Sequence, residues 1–330
     1  MIGFGGPEKP DDVVPFLENV LRGRNVPRER MLEVAEHYHH FGGRSPINDQ
    51  NRELIAAVRA LFLREGPPLP VYWGNRNWHP FLKDAVLAME RDGVKRALAF
   101  ATSVFSSYSG CRQYLDDIAR ARLEAGPDAP EIHKLRICYN HPGFIGAMAD
   151  RLRQALAEIP EDERTTVPIF YTAHSIPQSG AQMCDYEAEL REACALISAA
   201  IGRDDHELVY QSRSGPPQQP WLEPDIGDAL RALGGSTRSV VVVPVGFVSD
   251  HMEVLFDLDT VAKAIAQETG IRMVRALTAG SHPKFVRMIR DLVMERLEPG
   301  HERIALGGLG ARPDFCAAGC CPGSSRPGPK

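Results

Sequence analysis

The stretch SVVVVPVGFVSDHMEVLFDLD, residues 239–259, decides the fold. Its first half is a continuous run of β-branched residues, which is typical of a strand buried on both faces of a sheet. A proline and a glycine then interrupt the run, and the second half has the composition of a helix. A buried strand that leads into a helix predicts a parallel sheet with helices on its faces.

The same alternation extends along the chain. Further β-rich apolar runs lie at 70–73, 97–103, 135–139, 167–173, 207–212 and 271–277. Helical patterns separate them, at 49–65, 80–92, 144–158, 183–200 and 282–297. The predicted fold class is therefore α/β, with mostly parallel sheets flanked by helices.

The length of 330 residues accommodates two α/β halves of about 140 residues each. We expect an N-terminal half at 1–130, a C-terminal half at 131–300 and a Cys-containing, Pro/Gly-rich tail at 301–330. The hinge is placed at GPDAPE, residues 126–131. From Pro313 onward, the composition predicts a tail without regular structure.

The composition is that of an ordinary globular protein, with 43% hydrophobic and 25% charged residues and a formal net charge of −5. No lysine/arginine block is present, so nucleic acid is not expected as a partner. No apolar stretch reaches the roughly 18 residues that span a bilayer, and no signal peptide is apparent. We therefore expect a cytoplasmic protein. The chain opens on the Gly-rich end of a strand, GFGGPE, which leaves open whether the true N-terminus lies upstream.

His174 follows one residue after the predicted strand at 167–173. Ligands of parallel α/β folds bind beyond the carboxyl ends of the strands. Histidine titrates near neutrality, which suits it to proton transfer and to metal binding. A single histidine at a strand end can equally be a structural residue, so its position alone does not decide between the two interpretations.

A row of acidic residues follows the strand at 239–247. Glu253 and Asp257 are four residues apart and share one face of a helix, and Asp259 follows. Neighbouring carboxylates repel each other unless they share a cation or a proton. The alternative is an ordinary acidic helix N-terminus, which the helix dipole favours. Because His174 also lies just beyond a strand, the histidine and the acidic row could converge on one site.

Two loops rich in Gly and Pro carry further polar groups. The loop QSRSGPPQQPWLEPD, residues 211–225, contains Arg213 and Trp221, and its rigidity predicts a pocket wall. The loop HFGGRSPIN, residues 40–48, places Arg44 after two glycines. Gly-rich turns bring backbone N–H groups close to anionic oxygens, so this loop is a candidate for binding an anionic group.

The seven cysteines are unevenly distributed. Three lie within the stretch CAAGCC, as Cys316, Cys320 and Cys321. The others are scattered, as Cys111, Cys138, Cys184 and Cys194. Crowded thiols in a reducing compartment, where structural disulfides are rare, indicate a metal or a cluster. The alternative is a tail whose cysteines hold nothing.

The motifs TAHSIP, VYQSRSGPPQQPWLEPD and VPVGFVSDHMEVLFDLD together resemble the ferrochelatase family. FGGRSPIN, GNRNWHP and YSGCRQY extend the resemblance over about residues 3–300, and GNRNWHP with DDIARARLEAGPDAPE is most similar to the actinobacterial-type branch. The resemblance implies an enzyme of haem biosynthesis that inserts Fe(II) into a porphyrin and releases two protons. It also implies two similar Rossmann-like, chelatase-type halves with the active-site cleft between them.

The resemblance assigns roles to individual residues. It implies that His174 and Glu253 are the catalytic pair and that both bind Fe(II), without settling which of them takes the pyrrole protons. It makes Asp257 a candidate relay residue for the metal, although Val261 stands where a further acid is common. The implied substrate-binding residues are Phe4, Arg22, Ser45 and Tyr114.

The resemblance also implies a substrate and a cofactor. The actinobacterial-type branch favours coproporphyrin III, with four propionates, over protoporphyrin IX, with two. Some ferrochelatases hold a [2Fe–2S] cluster with three C-terminal cysteines and one internal cysteine, and four thiolates are required. The implied ligands are Cys316, Cys320 and Cys321 with Cys138, and Cys111 is the alternative to Cys138. Transient contact with neighbouring enzymes of the haem pathway is a further expectation.

Two other functions stay open at this point. One is a chelatase of the same fold that inserts cobalt or nickel, since such enzymes usually use a second histidine and His251 lies near the acidic row. The other is a haem-binding protein without turnover. A binding protein needs no base, so the presence of both His174 and Glu253 favours an enzyme. The sequence does not indicate an oligomeric state.

Overall fold

A computed structural model describes residues 1–23, 26–215, 218–235, 237–317 and 319–323. The chain forms two compact units. Unit 1 comprises Met1–Thr102, Tyr114–Leu135 and Ser249–Met252. Unit 2 comprises Ser103–Gln113, Arg136–Val248 and the chain from Glu253 onward.

Unit 1 is built on short parallel strand pairs. The strands β1 (Ile2–Gly3) and β2 (Gly74–Asn75) pair with each other, as do β3 (Arg96–Ala99) and β4 (Glu131–Lys134). A parallel bridge between Ile2 and Ala101 links the two pairs. The accompanying helices are α1 (Val13–Val20), α2 (Arg28–His40), α3 (Ile47–Glu65), α4 (Leu82–Arg91) and α5 (Gln113–Ala125).

Unit 2 is built on a four-stranded parallel sheet. Its strands are β5 (Ile169–His174), β6 (Glu207–Gln211), β7 (Ser239–Val243) and β8 (Arg272–Arg275), in the spatial order β6–β5–β7–β8. The helices are α6 (Pro142–Ala157), α7 (Gln178–Ala181), α8 (Tyr186–Ala200), α9 (Ile226–Ala232), α10 (Met252–Val254), α11 (Lys263–Glu268) and α12 (Pro283–Leu297). A π-helical segment, Leu255–Ala262, joins α10 to α11.

The stretch that decides the fold behaves as predicted. The valines of β7, Val240 to Val243, are all fully buried. β7 pairs in parallel with β5 on one side and with β8 on the other. Its neighbours Phe170, Val254 and Leu258 share one apolar core with Val240 and Val242. The α/β class with parallel sheets flanked by helices is therefore confirmed.

Two of the predicted strands were wrong in position. The run at 70–73 forms no strand, and the pairing begins at Gly74 instead. The run at 135–139 follows the actual strand β4, and its last ladder bond joins the Leu135 N–H to the Ala99 carbonyl at 2.9 Å. Ile137 and Cys138 are nevertheless buried. The apolar pattern therefore indicated burial correctly but not strand pairing.

The predicted helices lie close to the observed ones. The pattern at 49–65 corresponds to α3, that at 144–158 to α6, and that at 282–297 to α12. α6 packs against both α8 and α12. Across the described ranges, every helix is too short or too polar to cross a bilayer.

The segment after α12 is fastened to unit 2 by polar contacts. Arg136 and Glu295, whose side chains are almost fully buried, form a two-bond ion pair at 2.7 and 2.8 Å. Arg136 also donates to the Ile304 carbonyl at 3.0 Å. Asn140 donates to the carbonyls of Leu306 and Gly310. Because these bonds hold its backbone, the segment has a defined path although no helix or strand forms among its described residues.

A buried carboxylate secures the next part of this segment. Glu189 on α8 is fully buried and accepts hydrogen bonds from the backbone N–H and the hydroxyl of Ser106, both at 2.6 Å. Its Oε1 lies 3.0 Å from Nε of Arg312. Burial raises the pKa of Glu189 to about 7, although Ser106 and Arg312 oppose the shift. Glu189 therefore titrates near neutral pH in the folded protein.

Substituting this carboxylate should change how stability depends on pH. The pKa of Glu189 is raised on folding, so its contribution is fully present below the ordinary pKa of 4.5 and is lost as pH rises through about 7. Relative to Glu189→Gln, the parent should lose roughly 2 kcal/mol of unfolding free energy between pH 5 and pH 8. Urea unfolding at the two pH values measures this difference.

Glu187→Gln is the matched control, because Glu187 lies on the same helix and makes only an exposed pair with Arg191 at 2.6 Å. Its unfolding free energy should follow that of the parent at both pH values. If Glu189→Gln also followed the parent, Glu189 would have an ordinary pKa in the folded protein.

Candidate functional site

The strand order of unit 2 places a ligand site at one edge of the sheet. β6 lies on one side of β5 and β7 lies on the other. The chain therefore runs to one side of β5 to form β6 and then crosses to the opposite side to form β7. In parallel α/β sheets, such a switch opens a crevice at the carboxyl ends of the two strands. His174 is the last residue of β5, where it pairs in register with Gln211 of β6. The sequence therefore placed His174 at the correct edge, one residue inside the strand rather than beyond it.

A backbone hydrogen bond fixes the His174 ring. Nδ1 lies 2.5 Å from the carbonyl oxygen of Ser175. A carbonyl can only accept, so Nδ1 carries a proton, and the neutral ring keeps its lone pair on Nε2. The Tyr186 hydroxyl donates to the backbone carbonyl of His174 at 3.0 Å. The side chain stays about one third exposed, at 32%.

The loop after β7 passes close to the end of β5. Gly246 donates its N–H to the Thr172 carbonyl at 3.0 Å. A Cβ at Gly246 would lie 2.7 Å from the Ala173 Cα, a separation that backbone atoms cannot accept. Glycine at this position therefore allows the two segments to touch, and the chain then continues to the helical segment that carries Glu253.

His174 and Glu253 form a pair at this edge. Nε2 of His174 lies 3.7 Å from Oε1 of Glu253, and the Glu253 side chain is about half exposed. Burial lowers the pKa of His174, but the charge and hydrogen bonding of Glu253, with smaller effects of Ser175 and Asp257, raise it above its ordinary value. Glu253 therefore stabilises the protonated form of the His174 ring.

Asp257 lies behind this pair. Burial, with the nearby charge of Glu253, raises the pKa of Asp257 to about 6, while a hydrogen bond from Ser212 and the charge of His174 oppose the shift. The Ser212 hydroxyl donates to Oδ2 of Asp257. Ser212 adopts a φ of 62°, the left-handed region that non-glycine residues rarely occupy. This backbone conformation aims its hydroxyl at the carboxylate.

Gln211 connects the sheet to the acidic segment. Its side chain is fully buried, and Nε2 donates to the backbone carbonyl of Glu253 at 2.8 Å. Sequence analysis gave no role to Gln211 or Ser212, although both begin the motif QSRSGPP. Two adjacent polar residues at the end of a buried strand were the signal that could have identified them.

The rest of the loop at 211–225 lies against the segment that follows His174. The Ser175 hydroxyl donates to the Leu222 carbonyl at 2.9 Å, and the Leu222 N–H donates to the Ile176 carbonyl at 3.0 Å. Trp221 is 7% exposed and Arg213 lies 3.9 Å from Glu223. Pro216 and Pro217 of the loop lie outside the described residues. Through these contacts the loop supports the backbone around His174.

Asp259 does not belong with the other acids. Its two oxygens accept from Nε and Nη2 of Arg275 at 2.7 and 2.9 Å. Such a bidentate pair satisfies the carboxylate. Val261, where a further acid is common in the family, is an exposed apolar side chain. The acidic row is thus reduced to Glu253 and Asp257.

The candidate substrate residues lie in unit 1, where Phe4 and Tyr114 share a neighbour. The guanidinium of Arg76 lies 4.1 Å from the Tyr114 ring centroid and 6.0 Å from that of Phe4. Nε of Arg76 lies 2.5 Å from Oδ2 of Asp117, and both side chains are buried. Arg76 belongs to the motif GNRNWHP, from which sequence analysis drew no role for it.

The other two candidate substrate residues have different surroundings. Ser45 is 3% exposed, and its N–H donates to the Pro7 carbonyl at 2.9 Å. Arg22 is exposed and donates to Oδ1 of Asn19 at 2.5 Å. Arg44 pairs with Asp49 at 2.5 Å. The structure brings Phe4 and Tyr114 together around one residue, whereas Ser45 and Arg22 share no such neighbour among the residues that the structure describes.

Several cysteines of unit 2 lie near one another. The Sγ atoms of Cys320 and Cys321 are 3.6 Å apart. A hydrogen bond from Cys321 lowers the pKa of Cys184 to about 7, and Cys111 is close enough to Cys321 to affect its pKa. Cys316 is exposed. In the described ranges, no three His, Cys, Asp or Glu side chains form a ready-made metal site.

Solved structures with the same fold are chelatases and their relatives. The sirohydrochlorin chelatase SirB from Bacillus subtilis subspecies spizizenii, in complex with cobalt, superimposes with a TM-score of 0.51 at 11% identity, over 75% of this chain and 88% of its own. A multi-domain protein from Deinococcus radiodurans with structural similarity to chelatases gives a TM-score of 0.52 at 15% identity, over 81% of this chain and 53% of its own. The fold is therefore of the chelatase class.

Sequence comparison narrows this class to one family. The ferrochelatase family model matches residues 1–297. A ferrochelatase from Rhodopirellula baltica is 57% identical over 97% of this chain and 92% of its own length. The coproporphyrin III ferrochelatase from Nocardia farcinica is 50% identical over 99% and 97%, respectively. The chain belongs to the ferrochelatase family, so the expectation of a metal-inserting porphyrin chelatase is confirmed.

Removing the Ser212 hydroxyl should change the titration of Asp257. Because that hydroxyl stabilises the ionised carboxylate, Ser212→Ala should raise the pKa of Asp257 from about 6 by about one pH unit. A ¹³C NMR titration of the Asp257 carboxyl measures this change.

Ser214→Ala is the control, because Ser214 is exposed in the same loop. It should leave the Asp257 titration unchanged. An unchanged titration in Ser212→Ala as well would mean that the Ser212 hydroxyl does not bond Asp257 in solution.

Proposed function

We propose that this protein inserts Fe(II) into a porphyrin in haem biosynthesis, with the release of two pyrrole protons. The observation that carries the proposal is the pair formed by His174 and Glu253, 3.7 Å apart at the carboxyl edge of the parallel sheet. Family membership supports the activity, and the pair supplies the groups that the activity requires.

Two protons must leave the porphyrin nitrogens before a metal can occupy them. The Nδ1–H bond to Ser175 leaves Nε2 of neutral His174 free to accept a proton. Glu253 lies beside Nε2 and stabilises the imidazolium that results. The half-exposed Glu253 carboxylate can then pass the proton to water. In this mechanism His174 takes the proton first, and Glu253 is its partner.

Once the proton has passed from Nε2 to water, the same pair suits the incoming metal. Fe(II) accepts both imidazole and carboxylate ligands, and the porphyrin itself offers four nitrogens. Two protein ligands are therefore enough to hold the ion before the four porphyrin nitrogens bind it. Asp257, behind Glu253, would add negative charge on the path of the metal when it is ionised, which makes it a relay residue in this proposal.

We further propose that the substrate is coproporphyrin III. The proposal is supported by several relatives at about half identity that are named coproporphyrin III ferrochelatase, including the one from Mycolicibacterium smegmatis at 52%. In unit 1, Phe4 and Tyr114 are proposed to contact the apolar macrocycle, while Arg22 and Ser45 bind propionates. Bending the bound macrocycle would expose its nitrogen lone pairs. The free energy of binding the propionates at its edge would offset the cost of this distortion.

The tail cysteines support a second proposal, a [2Fe–2S] cluster. Cys316, Cys320 and Cys321 would supply three thiolates and an internal cysteine the fourth. Cys138 is the internal ligand predicted from the sequence, and Cys111 is its alternative. Two sulfurs on one tetrahedral metal with bonds of about 2.3 Å lie about 3.7 Å apart, and the 3.6 Å between the sulfurs of Cys320 and Cys321 fits this spacing.

The cellular setting follows from the same proposals. Thiolate ligands need a reducing compartment, which supports a cytoplasmic location. The reaction receives a porphyrin and delivers a metalloporphyrin, so transient contact with neighbouring haem-pathway enzymes remains part of the proposal.

The variant His174→Ala should bind porphyrin but lose at least about 100-fold in the rate of metal insertion, because a positioned base contributes that much. The assay follows the visible spectrum after anaerobic addition of Fe(II). Coproporphyrin III and protoporphyrin IX are compared side by side with the parent enzyme, and we expect coproporphyrin III to react faster.

Retention of half the parent rate by His174→Ala would refute the role of His174. A faster reaction with protoporphyrin IX would refute the substrate assignment alone. Insertion of cobalt or nickel but not Fe(II) would favour the alternative chelatase, for which His251 was considered.

The two remaining acids should differ in importance. Glu253→Gln keeps the size of the side chain but can neither stabilise an imidazolium nor bind Fe(II) as a carboxylate, so we expect a loss of about 100-fold in kcat. Asp257→Asn should lose less than about 10-fold, because Asp257 has a weaker electrostatic effect on His174 than Glu253 has. Steady-state kinetics with Fe(II) measures both losses.

Asp228→Asn serves as the control, because Asp228 makes only a surface pair with Arg231. Equal losses in Glu253→Gln and Asp257→Asn would indicate instead that the two acids form one shared metal site.

A further inference from the structure

The segment that leads into Glu253 is held at both ends by unit 2. Before it, the Gly280 N–H donates to the Val248 carbonyl at 2.8 Å. After it, the Gln211 side chain donates to the Glu253 carbonyl at 2.8 Å. The four residues between these two points, Ser249–Met252, belong to unit 1 instead. The position of Glu253 therefore also depends on what holds these four residues.

A side chain of unit 1 holds the middle of this segment. The Asp250 N–H donates to Oε1 of Gln50 at 2.9 Å. Ser249 and Met252, on either side of this bond, are both buried. A backbone N–H in such surroundings needs an acceptor, and the Gln50 amide oxygen supplies one. The bond is thus a fixed point three residues before Glu253.

Gln50 lies on a helix that is itself firmly fixed. It belongs to the first turn of α3, whose apolar face is buried. In the same turn, the Asn48 side chain donates to the carbonyls of Gly6 and His79, each at 3.2 Å. A shift of this helical turn would break these bonds within unit 1, so Gln50 offers Asp250 an acceptor at a defined position.

We propose that Gln50 is a positioning residue for metal insertion, because its bond to Asp250 helps to set where Glu253 lies relative to His174. The inference rests on the proposed function, in which these two side chains take the proton and bind Fe(II). Nε2 of His174 and Oε1 of Glu253 are 3.7 Å apart. A displacement of about 1 Å in such a pair can lower the rate about 100-fold. Gln50 acts through the backbone rather than on the reacting atoms.

Steady-state kinetics of three full-chain variants test the proposal, with Fe(II) and the porphyrin that the parent metallates faster. Gln50→Met keeps the length of the side chain but removes the acceptor. Its kcat should fall about 10-fold, while KM for the porphyrin should stay within about twofold of the parent value. Gln50→Glu keeps an oxygen acceptor and should restore at least about half of the parent kcat. Glu53→Met is the matched control and should equal the parent, because Glu53 is exposed on the same helix.

A double variant shows whether Gln50 acts through Glu253. Added to Glu253→Gln, the substitution Gln50→Met should lower kcat by less than about twofold, because the group that Gln50 positions is already inactive. Independent effects would multiply instead.

Amide hydrogen exchange, followed by NMR, examines the bond itself and needs no substrate. The Asp250 amide should exchange at least about 10-fold faster in Gln50→Met than in the parent. The Val241 amide, which donates to the Pro168 carbonyl at 2.9 Å within the sheet, should exchange at the parent rate. This second amide reports whether the variant keeps its fold.

A parent-like kcat in Gln50→Met, or an equal loss in the parent and in Glu253→Gln, would overturn the assignment. Unchanged exchange at Asp250 would also overturn it, because the bond would then be absent in solution. Faster exchange at both amides would refute a positioning role, since the whole sheet would be loosened. A parent that metallates neither porphyrin would remove the proposed function and with it the role of Gln50 in the reaction, whereas the exchange at Asp250 would still show whether Gln50 holds this segment.

Discussion

The close approach of Gly246 to Ala173 is the constraint on which the site depends. It presses the loop after β7 against the end of β5, with a hydrogen bond from Gly246 to Thr172. A larger residue would push the loop away, and with it the helical segment that carries Glu253. β7 is completely buried and pairs with β5, so the sheet fixes the positions of both strands. The position of the loop that follows β7 is fixed with them. The distance between His174 and Glu253 is thus set by backbone contact rather than by side-chain flexibility.

Polar neighbours hold the side chains of the candidate site in place. The Ser175 carbonyl fixes the tautomer of His174, Gln211 holds the backbone of Glu253, and Ser212 bonds Asp257. A reactive group without such support would sample many orientations, and catalysis depends on keeping it in one. The unusual backbone of Ser212 is consistent with this role, because strained conformations persist where function requires them.

The sequence predicted the strands of unit 2 better than those of unit 1. His174 ends the buried strand β5 and Glu253 comes after the buried strand β7, and buried strands have a clear pattern. In unit 1 the strands are two to four residues long, too short to produce a pattern, so the runs at 70–73 and 135–139 were misplaced. Gln211, Ser212 and Arg76 were missed because their roles come from partners distant in sequence.

The tail shows how a segment without helix or strand can still be part of the fold. Its backbone carbonyls and N–H groups bond to Asn140 and Glu192, and its charged Arg312 reaches the buried Glu189. Glu189 and Glu192 lie on α8 and Asn140 lies just before α6, so the tail depends on a part of unit 2 that also supports the sheet bearing His174. The proposed cluster, bound in part by Cys320 and Cys321, would add a further fixed point to this segment. Its binding energy would then become folding energy for the tail, while the metal-insertion chemistry would stay at the edge of the sheet.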